Sequence, residues 1–276
     1  MTRNLQGKVI VITGASSGIG AATAIECGKH GMKIILNARR ENKLHAIAEK
    51  VKQAGGETHV VTGDVGIQED VDKLMHDSHQ AFGRMDIVFA NAGYGLYTSV
   101  LDMTEEEHRK IFEVNYFGTV RTIKAAHDYM TQTPDGLKQY LITSSVVSEV
   151  GLPMFGAYAA TKAAQDSIAS ALRGELASEG FEVTSVHPAG TSSEFFDQVD
   201  EKSVQTRGVN NTPKHIMQTP QQVAKKIVKA IIKPKAEVWP MKSVHVGVSF
   251  ATLFPGLTAS FLKKHADKLT SPQNGH

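Results

Sequence analysis

The stretch Lys8-Val-Ile-Val-Ile-Thr13 runs directly into Gly14-Ala-Ser-Ser-Gly18-Ile-Gly20 and then into an alanine-rich segment, Ala21 to His30. Its first six residues are mostly apolar and β-branched, which predicts a short buried strand. Glycines after a strand permit positive φ angles and let backbone N–H groups approach a phosphate, and the N-terminus of a following helix attracts negative charge. The glycine spacing between a strand and a helix therefore favours a nucleotide-binding turn over an ordinary tight turn.

Strand-like runs alternate with helical patterns along most of the chain. Between most of these runs, apolar residues recur at helical spacing, as at Leu44, Ile47 and Val51. The pattern predicts an α/β, Rossmann-like fold with a doubly wound parallel sheet of about seven strands and helices on both faces. The predicted strands are Val9–Thr13, Lys33–Asn37, His59–Thr62, Ile87–Ala90, Tyr140–Thr143, Glu182–Val186 and Glu237–Trp239.

The segment Tyr158-Ala-Ala-Thr-Lys162 carries the chemistry that the sequence indicates most clearly. On a helix, residues four apart lie on one face, so the phenol and the ammonium are neighbours. A nearby positive charge favours the phenolate and lowers a pKa that is ordinarily about 10. Ser145, thirteen residues before Tyr158, follows a predicted strand and could hold a substrate oxygen. Although Tyr-x-x-x-Lys also occurs by chance on surface helices, this set indicates proton exchange with a carbonyl or alcohol oxygen.

Taken together, these motifs resemble the short-chain dehydrogenase/reductase family over roughly residues 6–240. The chain departs from the family pattern after the sixth strand, where it has Pro188-Ala189-Gly190 instead of Pro-Gly. The chain's length and composition predict a single domain, 1–276. Within it lie the dehydrogenase core that the resemblance covers, 6–240, which includes a substrate loop at 191–220, and a C-terminal apolar/basic tail at 241–276. The resemblance also implies a homodimer or homotetramer. The family's landmarks occur in its usual order: Thr13-Gly14-Ala15-Ser16-Ser17-Gly18-Ile19-Gly20, Asp64-Val65, Asn91-Ala92-Gly93, Asn115, Ser145, Tyr158 and Lys162.

The resemblance further implies a role for each site residue. Tyr158 would be the general acid for carbonyl reduction, and Lys162 would lower its pKa and hold the nicotinamide ribose. Ser145, chosen over Ser144 by its spacing to Tyr158, would donate to the substrate oxygen, and Asn115 would support a proton-relaying water. The expected catalytic residues are Asn115, Ser145, Tyr158 and Lys162. The expected cofactor-binding residues are Gly14, Ser16, Ser17, Gly18, Ile19, Gly20, Arg39, Arg40, Asp64, Val65, Asn91, Ala92, Gly93, Tyr158, Lys162, Pro188 and Thr191.

The residues after the second predicted strand indicate which dinucleotide is bound. A carboxylate there would accept from a ribose 2′-hydroxyl, whereas an arginine accommodates a 2′-phosphate. This chain has Ala38 at the family's acidic position, followed by Arg39 and Arg40, whose guanidinium groups suit phosphate geometry. The alternative is that both arginines only begin a solvated helix. We expect NADP(H).

The expected function is an NADP(H)-dependent oxidoreductase that interconverts a ketone or aldehyde with its alcohol. Apolar residues in the segments 93–97, 150–155 and 193–196 favour an apolar small-molecule substrate, unless they only pack on one another. A lyase or isomerase of the same fold is one alternative. A non-catalytic nucleotide-sensing or scaffold protein is another, disfavoured because the Tyr, Lys and Ser are all present.

Residue composition and the position of the first predicted strand indicate the expected cellular location and the ligands that are not expected. The single Cys27 excludes an intrachain disulfide and suits a reducing compartment. The first predicted strand begins close to Met1, so we expect no signal peptide and a cytoplasmic protein. The 12 histidines show no metal-ligand spacing and no basic motif is interleaved with aromatics, so neither a metal nor nucleic acid is expected.

The C-terminal part is basic and apolar. Residues 202–276 hold 12 Lys and Arg against 2 Asp and Glu, and the 19 residues from Val244 to Leu262 include no charged side chain. Pro255-Gly256 interrupts this run, which argues against a spanning helix. It could form a wall of the substrate pocket, a subunit contact or an in-plane membrane segment aided by Lys263, Lys264 and Lys268. The first two are favoured, and membrane association is the least expected.

Overall fold

A computed structural model of the chain describes residues 2–191 and 217–265. Over these residues, seven parallel strands form one sheet in the order β3-β2-β1-β4-β5-β6-β7. The chain moves outward from β1 to β3 and then crosses back to β4, so the strand order reverses between β1 and β4. The strands are β1 (Val9–Thr13), β2 (Lys33–Ala38), β3 (Glu57–Thr62), β4 (Ile87–Ala90), β5 (Gln139–Thr143), β6 (Glu182–Val186) and β7 (Glu237–Val238).

Helices cover both faces of this sheet. Because side chains alternate along a parallel strand, Ile10 and Ile12 pack on one face while Val9 and Val11 pack on the other. The first face is covered by α1 (Gly18–Gly28), α2 (Glu41–Gln53) and α7 (Pro220–Ile232). The second is covered by α3 (Gln68–Phe82), α5 (Gly118–Thr131) and α6 (Gly156–Glu175). The predicted Rossmann-like fold is confirmed.

Shorter elements connect these helices. A helix α4 (Glu105–Phe112) continues through a π-helical turn, Glu113–Phe117, into α5. Short 3₁₀ turns follow β5 at Val146–Ser148 and α6 at Ala177–Glu179. Such π-helical turns within a longer helix are frequent at functional sites.

The predicted strand bounds agree with the structure most closely in the interior of the sheet. The bounds of Val9–Thr13, Ile87–Ala90 and Glu182–Val186 are reproduced. The third strand begins at Glu57, two residues before its predicted start, because it pairs with β2 from Lys33 onward. It is an edge strand with exposed polar residues, so its first residues lack an apolar signal.

The C-terminal segment forms two further helices, α8 (Lys242–Leu253) and α9 (Pro255–Lys264). No single helix in the described ranges is long and apolar enough to cross a membrane; α8 and α9 meet the length and composition together but are bent by 106°. The predicted substrate loop 191–220 lies outside the described residues except at its ends. There Thr191 forms a β-bridge with Gln218, which brings the two ends together.

Candidate active site

The carboxyl ends of β1, β4 and β5 are joined by side-chain hydrogen bonds. The Thr13 hydroxyl accepts from the backbone N–H groups of Asn91 at 3.0 Å and Ala92 at 3.1 Å. In return, Asn91 Nδ2 donates to the Thr13 carbonyl at 3.1 Å, and Thr143 Oγ1 donates to Asn91 Oδ1 at 3.1 Å. This edge flanks the point where the strand order reverses, which is where open α/β sheets bind ligands.

The glycine-rich turn packs closely against the end of β4. Gly14 has a φ of +68°, and a Cβ there would lie 2.9 Å from Ala92 Cα. A Cβ at Gly20 would lie 2.7 Å from Asn91 Nδ2. Ser17, the N-cap of α1, makes no side-chain capping bond, and the first turn of α1 has no acidic residue. The helix N-terminus therefore keeps the partial positive charge and donor groups that suit a pyrophosphate.

The two arginines after β2 have different partners. Arg40 Nη2 donates to the hydroxyls of Ser16 and Ser17, each at 3.1 Å, and so joins the glycine-rich turn. Arg39 is largely exposed, with Nη1 3.7 Å from Asp64 Oδ2. An ion pair this open contributes little, so the Arg39 guanidinium is available to a phosphate.

Asp64 and Val65 lie directly after β3. The Asp64 carboxylate accepts from the backbone N–H of Gly66 at 2.9 Å, which fixes the turn. Val65 is buried, and a Cβ at Gly118 would lie only 2.7 Å from its Cγ2. Ile19 is half-buried against the first core face. These residues shape the cleft beside the ends of β1 to β3.

Ser145 and Tyr158 meet at the end of β5. Ser145 follows the strand, Tyr158 lies in the first turn of α6, and their side chains are hydrogen bonded. The neighbouring Ser144 is fully buried and donates to the backbone carbonyl of Lys162 at 3.2 Å. The structure therefore places Ser145, and not Ser144, beside Tyr158.

Lys162 lies one turn after Tyr158 and is buried in a polar network. Its ammonium Nζ donates to the Thr143 carbonyl and to Gln165 Oε1, both at 2.8 Å. Gln165 Nε2 in turn donates to Thr119 Oγ1 at 2.7 Å. Gln165 lies three residues after Lys162, so helical spacing could have indicated it, but sequence reasoning missed it and Thr119.

Burial shifts the pKa values of Lys162 and Tyr158 in opposite directions. It lowers the pKa of Lys162 to about 7. It also raises the pKa of Tyr158 above its ordinary value, while the hydrogen bond with Ser145 lowers it in part. Lys162 was expected to lower the Tyr158 pKa. Burial of the phenol instead raises the Tyr158 pKa, and the Lys162 ammonium lies 5.6 Å from the ring centre.

Asn115 lies in the π-helical turn and is fully buried. Its Nδ2 donates to the Tyr94 carbonyl and to Thr161 Oγ1, and its Oδ1 accepts from the Tyr94 N–H, all at 3.0 Å. A Cβ at Gly93 would lie 2.9 Å from Asn115 Oδ1 and 3.7 Å from Lys162 Nζ. The amide of Asn115 thus joins the turn after β4 to Thr161 of α6, next to Lys162 in the chain.

Pro188 and Thr191 lie after β6 on the same edge of the sheet. The Pro188 carbonyl accepts from the N–H of Val146, which follows Ser145, at 3.2 Å. Thr191 is buried and its hydroxyl donates to the Ala189 carbonyl at 3.0 Å. The structure therefore places Pro188 beside the turn that carries Ser145.

One group among the described residues has the composition of a metal site. Ligand atoms of Glu149, Asp166 and His187 lie within 4.8 Å of one another. His187 Nε2 is 3.3 Å from Asp166 Oδ1 and 3.0 Å from Ser185 Oγ, which accepts from Arg173. Burial raises the Asp166 pKa, but hydrogen bonds with His187 and Ser185 and the nearby charges lower it more, to below its usual value. The nearby charge of Arg173 contributes to lowering the pKa of this carboxylate.

Comparison with known proteins is consistent with this geometry. A sequence model of the short chain dehydrogenase family matches residues 8–204. The uncharacterised oxidoreductase Lin0452 of Listeria innocua is 33% identical over 233 residues, which cover 84% of this chain and 93% of that protein.

Solved structures show the same fold. A short-chain dehydrogenase/reductase from Burkholderia phymatum, in complex with NAD, superposes with a TM-score of 0.82 at 24% identity, covering 93% of this chain and 96% of the other. An alcohol dehydrogenase from Thermococcus sibiricus, complexed with 5-hydroxy-NADP, gives a TM-score of 0.72 at 30% identity, covering 84% and 94%.

Proposed function

The chain belongs to the short-chain dehydrogenase/reductase family, and we propose that it is an NADP(H)-dependent oxidoreductase that interconverts an apolar carbonyl compound and its alcohol. The observation that carries the proposal is the placement of Ser145 beside the Tyr158 phenol, one helical turn from the buried Lys162. A hydroxyl donor, a proton donor and a cation beside a dinucleotide-type cleft are the groups that carbonyl reduction requires.

The residues of the cleft fit a nicotinamide dinucleotide. Gly14 and Gly20 leave no room for a Cβ, and the N-terminus of α1 lacks a side-chain cap that would compete with a pyrophosphate. Gly93 lets the turn after β4 approach Asn115 closely, since a Cβ there would lie 2.9 Å from Asn115 Oδ1. When bound, the dinucleotide supplies or accepts the hydride. The remaining catalytic functions belong to the protein's own groups.

The residues after β2 support NADP(H) over NAD(H). Ala38 offers no carboxylate to a ribose 2′-hydroxyl, and Arg39 has only an open ion pair. Arg40 is held on the hydroxyls of Ser16 and Ser17. A groove beside these serines is also lined by Lys43 and Lys50. Two arginines without a carboxylate at the position of Ala38 favour a 2′-phosphate.

Tyr158 and Ser145 have complementary roles in the proposed reduction. Burial keeps the Tyr158 phenol protonated at neutral pH, so it can donate a proton to the substrate oxygen. Ser145 donates a hydrogen bond to the same oxygen as negative charge develops on it. In the reverse direction Tyr158 accepts the alcohol proton.

Lys162 supplies positive charge beside Tyr158, and we assign Gln165 to positioning it. A buried ammonium without acceptors would be strongly disfavoured. The Thr143 carbonyl and Gln165 Oε1 supply two acceptors, and Thr119 orients the Gln165 amide. Gln165 therefore raises the fraction of Lys162 that is protonated near pH 7.

Aromatic side chains beside Tyr158 support an apolar substrate. The rings of Tyr97 and Phe155 meet edge to face at 5.2 Å, and the Phe155 ring centre is 6.4 Å from that of Tyr158. Leu96 and Leu152 pack partly buried on the same cluster. The predicted pocket residues in the segment 193–196 lie outside the described residues.

A substrate screen tests this function. Aromatic and aliphatic aldehydes and ketones are offered with NADPH or NADH while absorbance of the reduced nicotinamide is followed, and a free sugar serves as the polar comparator. The proposal predicts consumption of NADPH with the apolar carbonyls and little with NADH or the sugar. Tight NADH binding by the wild-type protein would contradict the cofactor assignment, and faster turnover of the sugar would contradict the substrate class.

A further inference from the structure

Helices α8 and α9 present an apolar stripe that is exposed in the described part of the chain. Val246, Phe250, Leu253, Leu257 and Phe261 are 55–74% exposed. Their spacing places Val246, Phe250 and Leu253 on one face of α8, and Leu257 and Phe261 on one face of α9. Large apolar side chains gathered in this way mark an interaction surface, unlike single exposed residues.

Two threonine hydroxyl groups in this segment are hydrogen bonded within the segment itself. Thr252 Oγ1 donates to the Ser249 carbonyl at 2.9 Å. Thr258 Oγ1 donates to the Ala251 carbonyl at 2.9 Å and thereby links α9 to α8. Hydroxyls bonded to backbone carbonyls need no water, so these two threonines do not oppose transfer of the stripe into an apolar medium.

The charges around the stripe have one sign. Lys242 begins α8, and Lys263 and Lys264 end α9, all three exposed. The sequence has no Asp or Glu between Trp239 and His265. An apolar face bordered only by lysines is complementary to an anionic lipid surface, whose headgroups attract Lys and whose acyl region accepts Phe and Leu.

The shape of the pair also favours a flat partner. The two helix axes are bent by 106°, so the exposed apolar residues do not form one straight ridge. A groove-binding partner would instead require a straight ridge of anchors on one helix. No residue of α8 or α9 is buried against the rest of the described chain, although α8 does touch the Val146–Ser148 turn.

We propose that the stripe of α8 and α9 binds in the plane of an anionic lipid bilayer and holds the protein at the membrane surface. Phe250 and Phe261 enter the acyl region, and the flanking lysines contact the headgroups. The Val146–Ser148 turn that α8 touches directly follows Ser145, so the membrane-facing side adjoins the candidate active site. The proposal does not depend on the proposed function, since lipid binding is measured without turnover.

Flotation of the full-length chain with lipid vesicles tests the apolar contact. The protein is mixed with phosphatidylcholine vesicles and with vesicles that also contain phosphatidylglycerol, and the bound fraction is measured. Binding is expected to the anionic vesicles and to be much weaker to the neutral ones. Phe250→Ser with Phe261→Ser should weaken binding by about tenfold or more for each ring removed from the lipid. Leu101→Ser is the matched control, because Leu101 is 95% exposed but lies outside the stripe.

Charge reversal tests the headgroup contact. Lys263→Glu with Lys264→Glu should weaken binding to anionic vesicles by about fivefold or more per lysine. Lys225→Glu with Lys226→Glu makes the same charge change on the exposed face of α7 and should have a much smaller effect. Equal losses for the two pairs would show that net charge, not this surface, attracts the protein, and would overturn the proposal.

The insertion depth and the oligomeric state separate the membrane from a second copy of the chain. Tryptophan placed by Phe261→Trp should be quenched by brominated acyl chains, and tryptophan placed by Leu101→Trp should not. Light scattering should give the same oligomer for the wild type and the double serine variant. Absence of wild-type flotation, or a serine variant that loses a subunit contact without a change in flotation, would overturn the proposal.

Discussion

Replacing Gln165 with leucine tests how the buried lysine of the candidate site stays charged. The substitution keeps the bulk of the side chain but removes the acceptor that lies 2.8 Å from Lys162 Nζ. A hydrogen bond to a charged group contributes about 1.5–3 kcal/mol, which corresponds to a fall of about 1–2 units in the Lys162 pKa. Starting from a pKa of about 7, the charged fraction at pH 7 should fall about 5- to 50-fold.

The assay is the pH dependence of kcat/KM for NADPH-dependent reduction. If the Lys162 charge supports turnover, activity falls as pH rises through its pKa, and this limb should move to lower pH in Gln165→Leu. Gln165→Glu adds a buried negative charge and should move the limb to higher pH. Thr119→Val, which removes only the partner of the Gln165 amide, should shift it slightly downward. If kcat/KM falls at the same pH in all variants, even with lower activity throughout, Gln165 does not control the protonation of Lys162.

Three further predictions concern single side chains. Arg39→Ala should weaken NADPH binding about 10- to 150-fold by removing a charged hydrogen bond, and leave NADH binding nearly unchanged in parallel titrations; equal losses for both would make Arg39 structural. Ser145→Ala should lower kcat while Ser144→Ala mainly lowers stability in denaturant, since only Ser145 contacts Tyr158; the reverse pattern would exchange their roles. Lys162 has a pKa of about 7 in the fold against an ordinary value of 10.5. Between these pH values the unfolded state binds more protons, so the free energy of unfolding of the wild type should rise with pH by up to about 1.4 kcal/mol per unit relative to that of Lys162→Met. A difference between the two proteins that stays constant across this pH range in urea unfolding would show that the lysine keeps its charge when buried.

Much of the fold could be predicted because its signals are local. The buried strand β1 consists entirely of β-branched residues, four of them apolar, and the glycine turn stands directly between β1 and α1. The order of the landmarks along the chain also brings Ser145, Tyr158 and Lys162 to one edge of the sheet. The edge strand β3 was less predictable, since backbone pairing with β2 extends it through the polar residues Glu57 and Thr58.

The electrostatics of the site could not be predicted, because they depend on burial. Sequence reasoning placed a charge beside Tyr158 and expected a lowered pKa. It could not include desolvation, which acts on the phenol and the ammonium in opposite directions. The role of Gln165 likewise depends on the packing of α5 against α6, which brings Thr119 within hydrogen-bonding distance.

The C-terminal apolar segment was also only partly predictable from the sequence. The uncharged run from Val244 to Leu262 and its break at Pro255 were evident from the sequence. A run of apolar residues does not say which face is exposed, and a pocket wall or subunit contact was favoured. The exposure of Phe250 and Phe261 and the internal bonding of Thr258 provide the reason to propose a lipid surface instead.

Substitution of Tyr158 by phenylalanine tests the proposed chemistry most directly. The change removes the phenolic oxygen and leaves the ring, so NADPH binding, measured by nucleotide fluorescence, should remain within about threefold of wild type. Turnover of an apolar carbonyl substrate in single-turnover and steady-state assays should fall by about 10²–10⁴-fold, the contribution of a positioned general acid. A Tyr158→Phe variant that binds NADPH normally and reduces the substrate at a near-normal rate would contradict the assignment.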